Sequence, residues 1–165
     1  RVGRVAAALF TGVLPRPNAE SRRELRWAAA LHEAGMMISH HDHHRHSAYM
    51  LSHVDAEGFS QSQLRRVGDL VLGQRGGLRK LEPRLAEPGF APALLCLRLA
   101  VIVCHARDDV EAGAITLRIG DGPPTVTLRG EWAAAHPRAG HLLREEVAAW
   151  DRSGVLRPIL QAQAA

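Results

Sequence analysis

Lysine is nearly missing from this chain. Of its 21 Lys and Arg residues only Lys80 is lysine, so positive charge rests on arginine. Guanidinium groups stay charged at any physiological pH and offer a planar fork of donors suited to phosphate oxygens. A formal charge of +4 and a pI near 10.0 favour a polyanionic partner. Aromatics are scarce at 4%, and the predicted strands carry none, so recognition of single-stranded nucleic acid by base stacking is not expected. Cysteine is limited to Cys96 and Cys104 on one predicted helix, eight residues apart. That spacing is about 12 Å of helix axis, beyond the roughly 7 Å that a disulfide tolerates. Two unpaired thiols suit a reducing cytoplasm. No apolar run is long enough for a membrane span, and the longest, "APALLCLRLAVIVCHA", has Arg98 in its middle. An initiating Met is lacking too: the chain opens at Arg1 inside an apolar helical pattern and reads as a piece of a longer protein.

What is present is a globular pattern, 46% apolar over 165 residues, enough for a real core. The spacing predicts a first helix over roughly 1–13, ending at "LPRPN". Ser21 precedes Glu24 by three, a capping-box signature. Leu25, Ala28, Ala29 and His32 then form one apolar stripe, with His32 turned toward the core and Gly35 as a stop. A further helix is expected over about 44–54. Ser60 and Gln63 repeat the capping pattern before a stripe of Leu64, Val67 and Val71, and "LVLGQRGGLRK" dissolves into a basic, glycine-rich loop. Helix 91–106 is apolar all round apart from Arg98 and His105, as a central helix must be. After "HARDDVEAG" the texture changes. Ile115, Leu117 and Ile119 alternate, as do Val126 and Leu128, and "GDGPP" joins them as a hairpin. Leu142, Leu143, Val147 and Trp150 mark a helix closed by Gly154, and "VLRPIL" reads as an edge strand with Pro158. The fold class is therefore α+β and mostly α: a helical part over 1–110 and a small ββαβ module over 111–165.

"ISHHDHHRHSAYML" crowds five histidines, Asp42 and Arg45 into positions 40–46. One reading is a metal site, since imidazole suits zinc, nickel and iron. Its positions crowd one short stretch, however, and imidazoles on adjacent residues cannot all face one ion. A second reading is an anion site. "HHRHS" falls at the start of a predicted helix, where free N–H groups and the dipole attract phosphate. His40, His44 and His46 can donate, Arg45 adds its fork, and "GQRGGLRK" supplies Arg75, Arg79 and Lys80 among glycines that let backbone approach a ligand. The bland alternative is a solvated polar loop with surface arginines.

His32-Glu33 in mid-helix, with histidines downstream, resembles the histidine–aspartate (HD) phosphohydrolase fold, which holds metal through a His, a His-Asp pair and a late Asp. Here the acid is Glu33, Val101 stands near the late position, and the first helix has no histidine. A stand-alone HD-type metal phosphohydrolase on His32 and Glu33 is thus the alternative, with a core histidine as the competing role for His32.

"WAAALHEAG", "HRHSAYML" and "GFSQSQ" together resemble the C-terminal part of bacterial exopolyphosphatases, relatives of the guanosine-pentaphosphate phosphohydrolases. The likeness is specific over 25–63 and looser after 110. It implies a cytoplasmic, dimeric parent enzyme that releases phosphate from the end of inorganic polyphosphate, with a guanosine-pentaphosphate phosphohydrolase parent as a further alternative. Catalysis and magnesium would lie in preceding domains, with no cofactor in this piece. It implies an HD-like helical domain, cut short at its start, and a small terminal domain, which line a basic channel for the polymer and help build the homodimer. His44, Arg45 and His46 would border that channel. Where the family often reads "RYHRK", this chain reads "LGQRGG", so Gln74 replaces a histidine.

Overall fold

Two short helices open the molecule, α1 (Val2–Phe10) and α2 (Ala19–Leu31), and their apolar faces meet. The computed structural model describes residues 1–105 and 109–163. Asn18, not Ser21, starts α2: its side chain accepts the Ser21 N–H at 2.8 Å. The Ser21–Glu24 capping box is therefore not formed. Glu24 is buried and taken by Arg66 Nε at 3.0 Å across to the next long helix, so its carboxylate cannot reach back to a cap.

α2 stops at Leu31, and a 3-10 turn over Ala34–Met37 follows before α3 (His43–His53) and α4 (Gln61–Gly73). Gly35 is not the stop. It sits inside the turn because α3 passes so close that a Cβ would lie 2.1 Å from the His43 carbonyl oxygen and 2.5 Å from the Ser47 nitrogen. At α4 the capping box is formed in full, with Ser60 Oγ accepting the Gln63 N–H and Gln63 Oε1 accepting the Ser60 N–H. Leu64, Val67 and Val71 are buried as the stripe requires.

A further 3-10 turn (Leu78–Leu81), one helical turn α5 (Glu82–Leu85) and α6 (Phe90–Val103) follow. α6 is the core: Leu94, Leu95, Leu97 and Leu99 have no exposed surface. It packs on α1, α2 and α4, which is why apolar residues cover it on all sides. It ends at Val103, and Ala106, the expected end, lies outside the described residues, as does part of "HARDDVEAG". Both cysteines are free and buried.

β1 (Ile115–Arg118) and β2 (Thr125–Arg129) pair antiparallel as the hairpin, with Leu117 opposite Val126. Two helices rather than one then cross over, α7 (Gly130–Ala135) and α8 (Pro137–Ser153), the latter closed by Gly154 at φ 74°. β3 (Ile159–Gln163) returns parallel to β2 at the edge, with Pro158 just before it, where a missing N–H costs no ladder bond. On the opposite edge, Ile119 exchanges backbone hydrogen bonds with Gly12 and Leu14. One hydrophobic cluster runs from Val5 in α1 through α6 to Leu143 and Trp150 in α8. No helix among the described residues is long and apolar enough to cross a membrane.

Candidate anion-binding site

The histidine stretch divides by burial at the start of α3. His40 and His41 are exposed, whereas His43 and His44 are 5% and 6% exposed. The helix begins from Asp42, held in the left-handed region at φ 54°, whose side chain makes no capping bond. Ser47 is fully buried and takes the Gly35 N–H at 2.7 Å, which pins α3 to the preceding turn. His46 lies over Gly35 on the same turn.

Arg75, in the loop after α4, donates to His43 Nε2 at 3.2 Å. A guanidinium can only donate, so the neutral His43 ring carries its proton on Nδ1. That Nδ1 has no partner among the described residues, nor do His44 Nδ1 and Gln74 Oε1, all three buried. Gln74 Nε2 donates to the His32 carbonyl at 2.5 Å, so Gln74 braces the end of α2. Unpaired buried polar atoms are costly, and each calls for a partner such as an ordered water or a bound group.

Cations gather over these orphans. The Lys80 stem is exposed, but Nζ folds back to donate to the Arg75 carbonyl at 2.8 Å. Its pKa is pushed down to about 8, first by loss of hydration and then by Arg98, Arg45 and Arg75, with the Asp42 carboxylate opposing. His44 is pushed down to about 4 by burial, then by Lys80 and Arg75, again against Asp42. Burial and Arg75 also lower His43. The first turn of α3 and the segment after α4, about thirty residues apart in sequence, thus come together: His44 and Arg45 on the first, Arg75 and Lys80 on the second. His40 and Arg79 are exposed and make no hydrogen bond or ion pair among the described residues. The arrangement offers an anion positive charge and the unused ring nitrogens of His43 and His44, with one carboxylate in competition.

His32 and Glu33 form a lone pair. His32 Nδ1 bonds the Ala29 carbonyl at 2.7 Å, and Nε2 lies 3.9 Å from Glu33. The His32 side chain is 13% exposed, turned mostly inward as its stripe position requires. Among the described residues no three His, Cys, Asp or Glu side chains come together as a metal-holding group.

Sequence reasoning missed His43 and Glu146. His43 was hidden among neighbours of identical type. Glu146 had a signal: it stands at a stripe position of α8, between Leu143 and Trp150, where an apolar residue belongs. Its carboxylate meets Arg98 through two bonds of 2.5 and 2.7 Å. A separate groove of about 530 Å³ between α1 and α2 carries Arg16, Arg22, Arg23 and Arg26, so the arginine surplus is not confined to the cluster.

Fold and cluster together define a mainly helical domain that carries a cationic cluster and a small terminal sheet. A family model described as Ppx/GppA phosphatase, domain III, matches residues 1–146, and the chain belongs to that family. It is 36% identical over 115 residues to the guanosine-5'-triphosphate,3'-diphosphate pyrophosphatase of Vibrio cholerae, covering 68% of this chain and 23% of that protein. The protein of the same name from Photobacterium profundum is 32% identical over 124 residues, covering 74% and 25% respectively. The chain thus spans about a quarter of the length of these relatives.

Proposed function

We propose that this chain holds a run of anhydride-linked phosphates for a phosphatase whose bond-breaking groups, with their magnesium, lie outside these residues. The observation that carries the reading is that Arg75 meets the buried His43 ring at 3.2 Å and Lys80 meets the Arg75 carbonyl at 2.8 Å, beside His43 and His44 Nδ1 atoms with no partner among the described residues. Lys80 is held near arginines at a cost that a bound anion relieves. Inorganic polyphosphate and guanosine 5'-triphosphate 3'-diphosphate share this chemistry. The resemblance in "HRHSAYML" favours the polymer as substrate, and the names of the relatives favour the nucleotide.

Titration of each compound into the full chain at about 50 and 200 mM salt separates them, because polyanion affinity falls steeply as released counterions accumulate. Arg45→Ala is expected to weaken binding by about 1 kcal/mol, the upper worth of an exposed charge pair. Arg22→Ala/Arg23→Ala removes equal or greater charge elsewhere and is expected to matter far less. Equal losses from both variants, or affinity indifferent to salt, would overturn the reading. A homodimer and a cytoplasmic setting belong to the same proposal. Exposed Met37, Ile38 and Tyr49 leave apolar surface for self-association, and sedimentation of the full chain tests the first.

A further inference from the structure

Arg98 stands 5% exposed in the middle of α6, with four of its five N–H donors engaged. Nε and Nη2 donate to the two oxygens of Glu146 on α8, at 2.5 and 2.7 Å. Nη1 donates to the carbonyls of Gly73 and Gly76, at 2.6 and 3.0 Å. Glu146 Oε1 also accepts the Trp150 indole N–H at 2.6 Å. Three elements therefore converge on one side chain: the core helix, the last helix, and the loop that follows α4.

That loop cannot set its own path. Gly73 is the last residue of α4, so its carbonyl has lost the partner that helix continuation would bring. A Cβ at Gly73 would lie 2.5 Å from Leu81 and 2.7 Å from Leu94, and Gly76 needs φ 76°. Arg98 Nη1 pins the backbone on both sides of Arg75. Arg75 then reaches His43 with its guanidinium and Lys80 with its carbonyl.

We infer that the buried Arg98–Glu146 pair is the positioning element of the anion site, setting the 73–76 loop so that Arg75 and Lys80 face His43 and His44. The inference rests on the anion-binding reading for its functional meaning. Stability alone does not account for such a pair, since well-packed neutral residues often replace a buried ion pair without loss. Glu146 makes α8, in the terminal module, a support of a site built on the helices.

The test is Arg98→Met/Glu146→Gln in the full chain, which removes both charges and leaves an acceptor for Trp150. Inorganic tripolyphosphate is the probe, read by calorimetry beside the melting temperature. A folded double variant is expected to bind about tenfold more weakly or worse, the scale of a few charged hydrogen bonds lost from register. Wild-type affinity in a variant that melts normally overturns the inference. Should the double variant not fold, Arg98→Lys is read instead: an ammonium keeps the charge but cannot span Glu146 and two carbonyls. A similar weakening supports positioning, and unchanged affinity refutes it. Amide exchange at residues 74–77 judges the pair independently of binding. Faster exchange in either variant is expected, and no change counts against the pair even if the wild-type chain ignores tripolyphosphate, a result that would sink the anion reading instead.

Discussion

Asp42 competes with an incoming anion for the cations it sits among. Its carboxylate supports the charge of both Lys80 and His44, so it occupies by itself part of the field an incoming phosphate would use. Asp42→Asn is expected to tighten polyphosphate binding severalfold, up to about 1 kcal/mol, measured by titration at low salt. pH acts through the same groups. Lys80 titrates near 8, so anion affinity is expected to decline as pH rises through that value, and Lys80→Arg should remove the decline. His44 has the opposite consequence for stability. Its folded pKa lies near 4 against 6.5 for the free side chain, so the unfolded chain binds the extra proton. Its contribution is complete above about 6.5 and is lost as pH falls toward 4, at most about 3 kcal/mol. Denaturant unfolding between pH 7 and 4 measures this, and His44→Phe is expected to flatten the curve.

Helix starts show what pattern alone resolves. Ser60 and Gln63 form the reciprocal cap that their spacing announces, and Ser60→Ala should cost about 1 kcal/mol in thermal or denaturant unfolding. Ser21 and Glu24 have the same spacing and form none, because Glu24 is drawn to Arg66 on a helix forty residues later. Local spacing cannot report that competition. Gly35 is a similar case. Sequence marks a glycine near a helix end, but its role is to let α3 lie against the turn, which only the packing reveals. Gly35→Ala is expected to destabilise by about 1–3 kcal/mol or more, since backbone atoms rather than a flexible side chain must yield. Gly58→Ala, at φ 83° with open space around it, should cost only about 1 kcal/mol.

Across the whole molecule, the change of texture near residue 110 is real in secondary structure, yet the apolar core is continuous across it. Ile119 bonds to the segment after α1, and α8 reaches α6 through Glu146. The family match likewise continues past residue 110 to 146. Circular dichroism and tryptophan fluorescence are therefore expected to report one coincident unfolding transition. Trp27 samples the helices, while Trp132 and Trp150 sample the terminal part.

By itself the sequence determined the element types, the central helix, the hairpin and the two basic stretches, because periodicity and turn chemistry are local properties of the chain. Only the tertiary structure decided that those stretches meet, that His43 and His44 are buried while His40 is not, and that Arg98 finds Glu146. Those outcomes depend on which distant groups arrive within hydrogen-bond reach, and spacing along a chain carries no record of that.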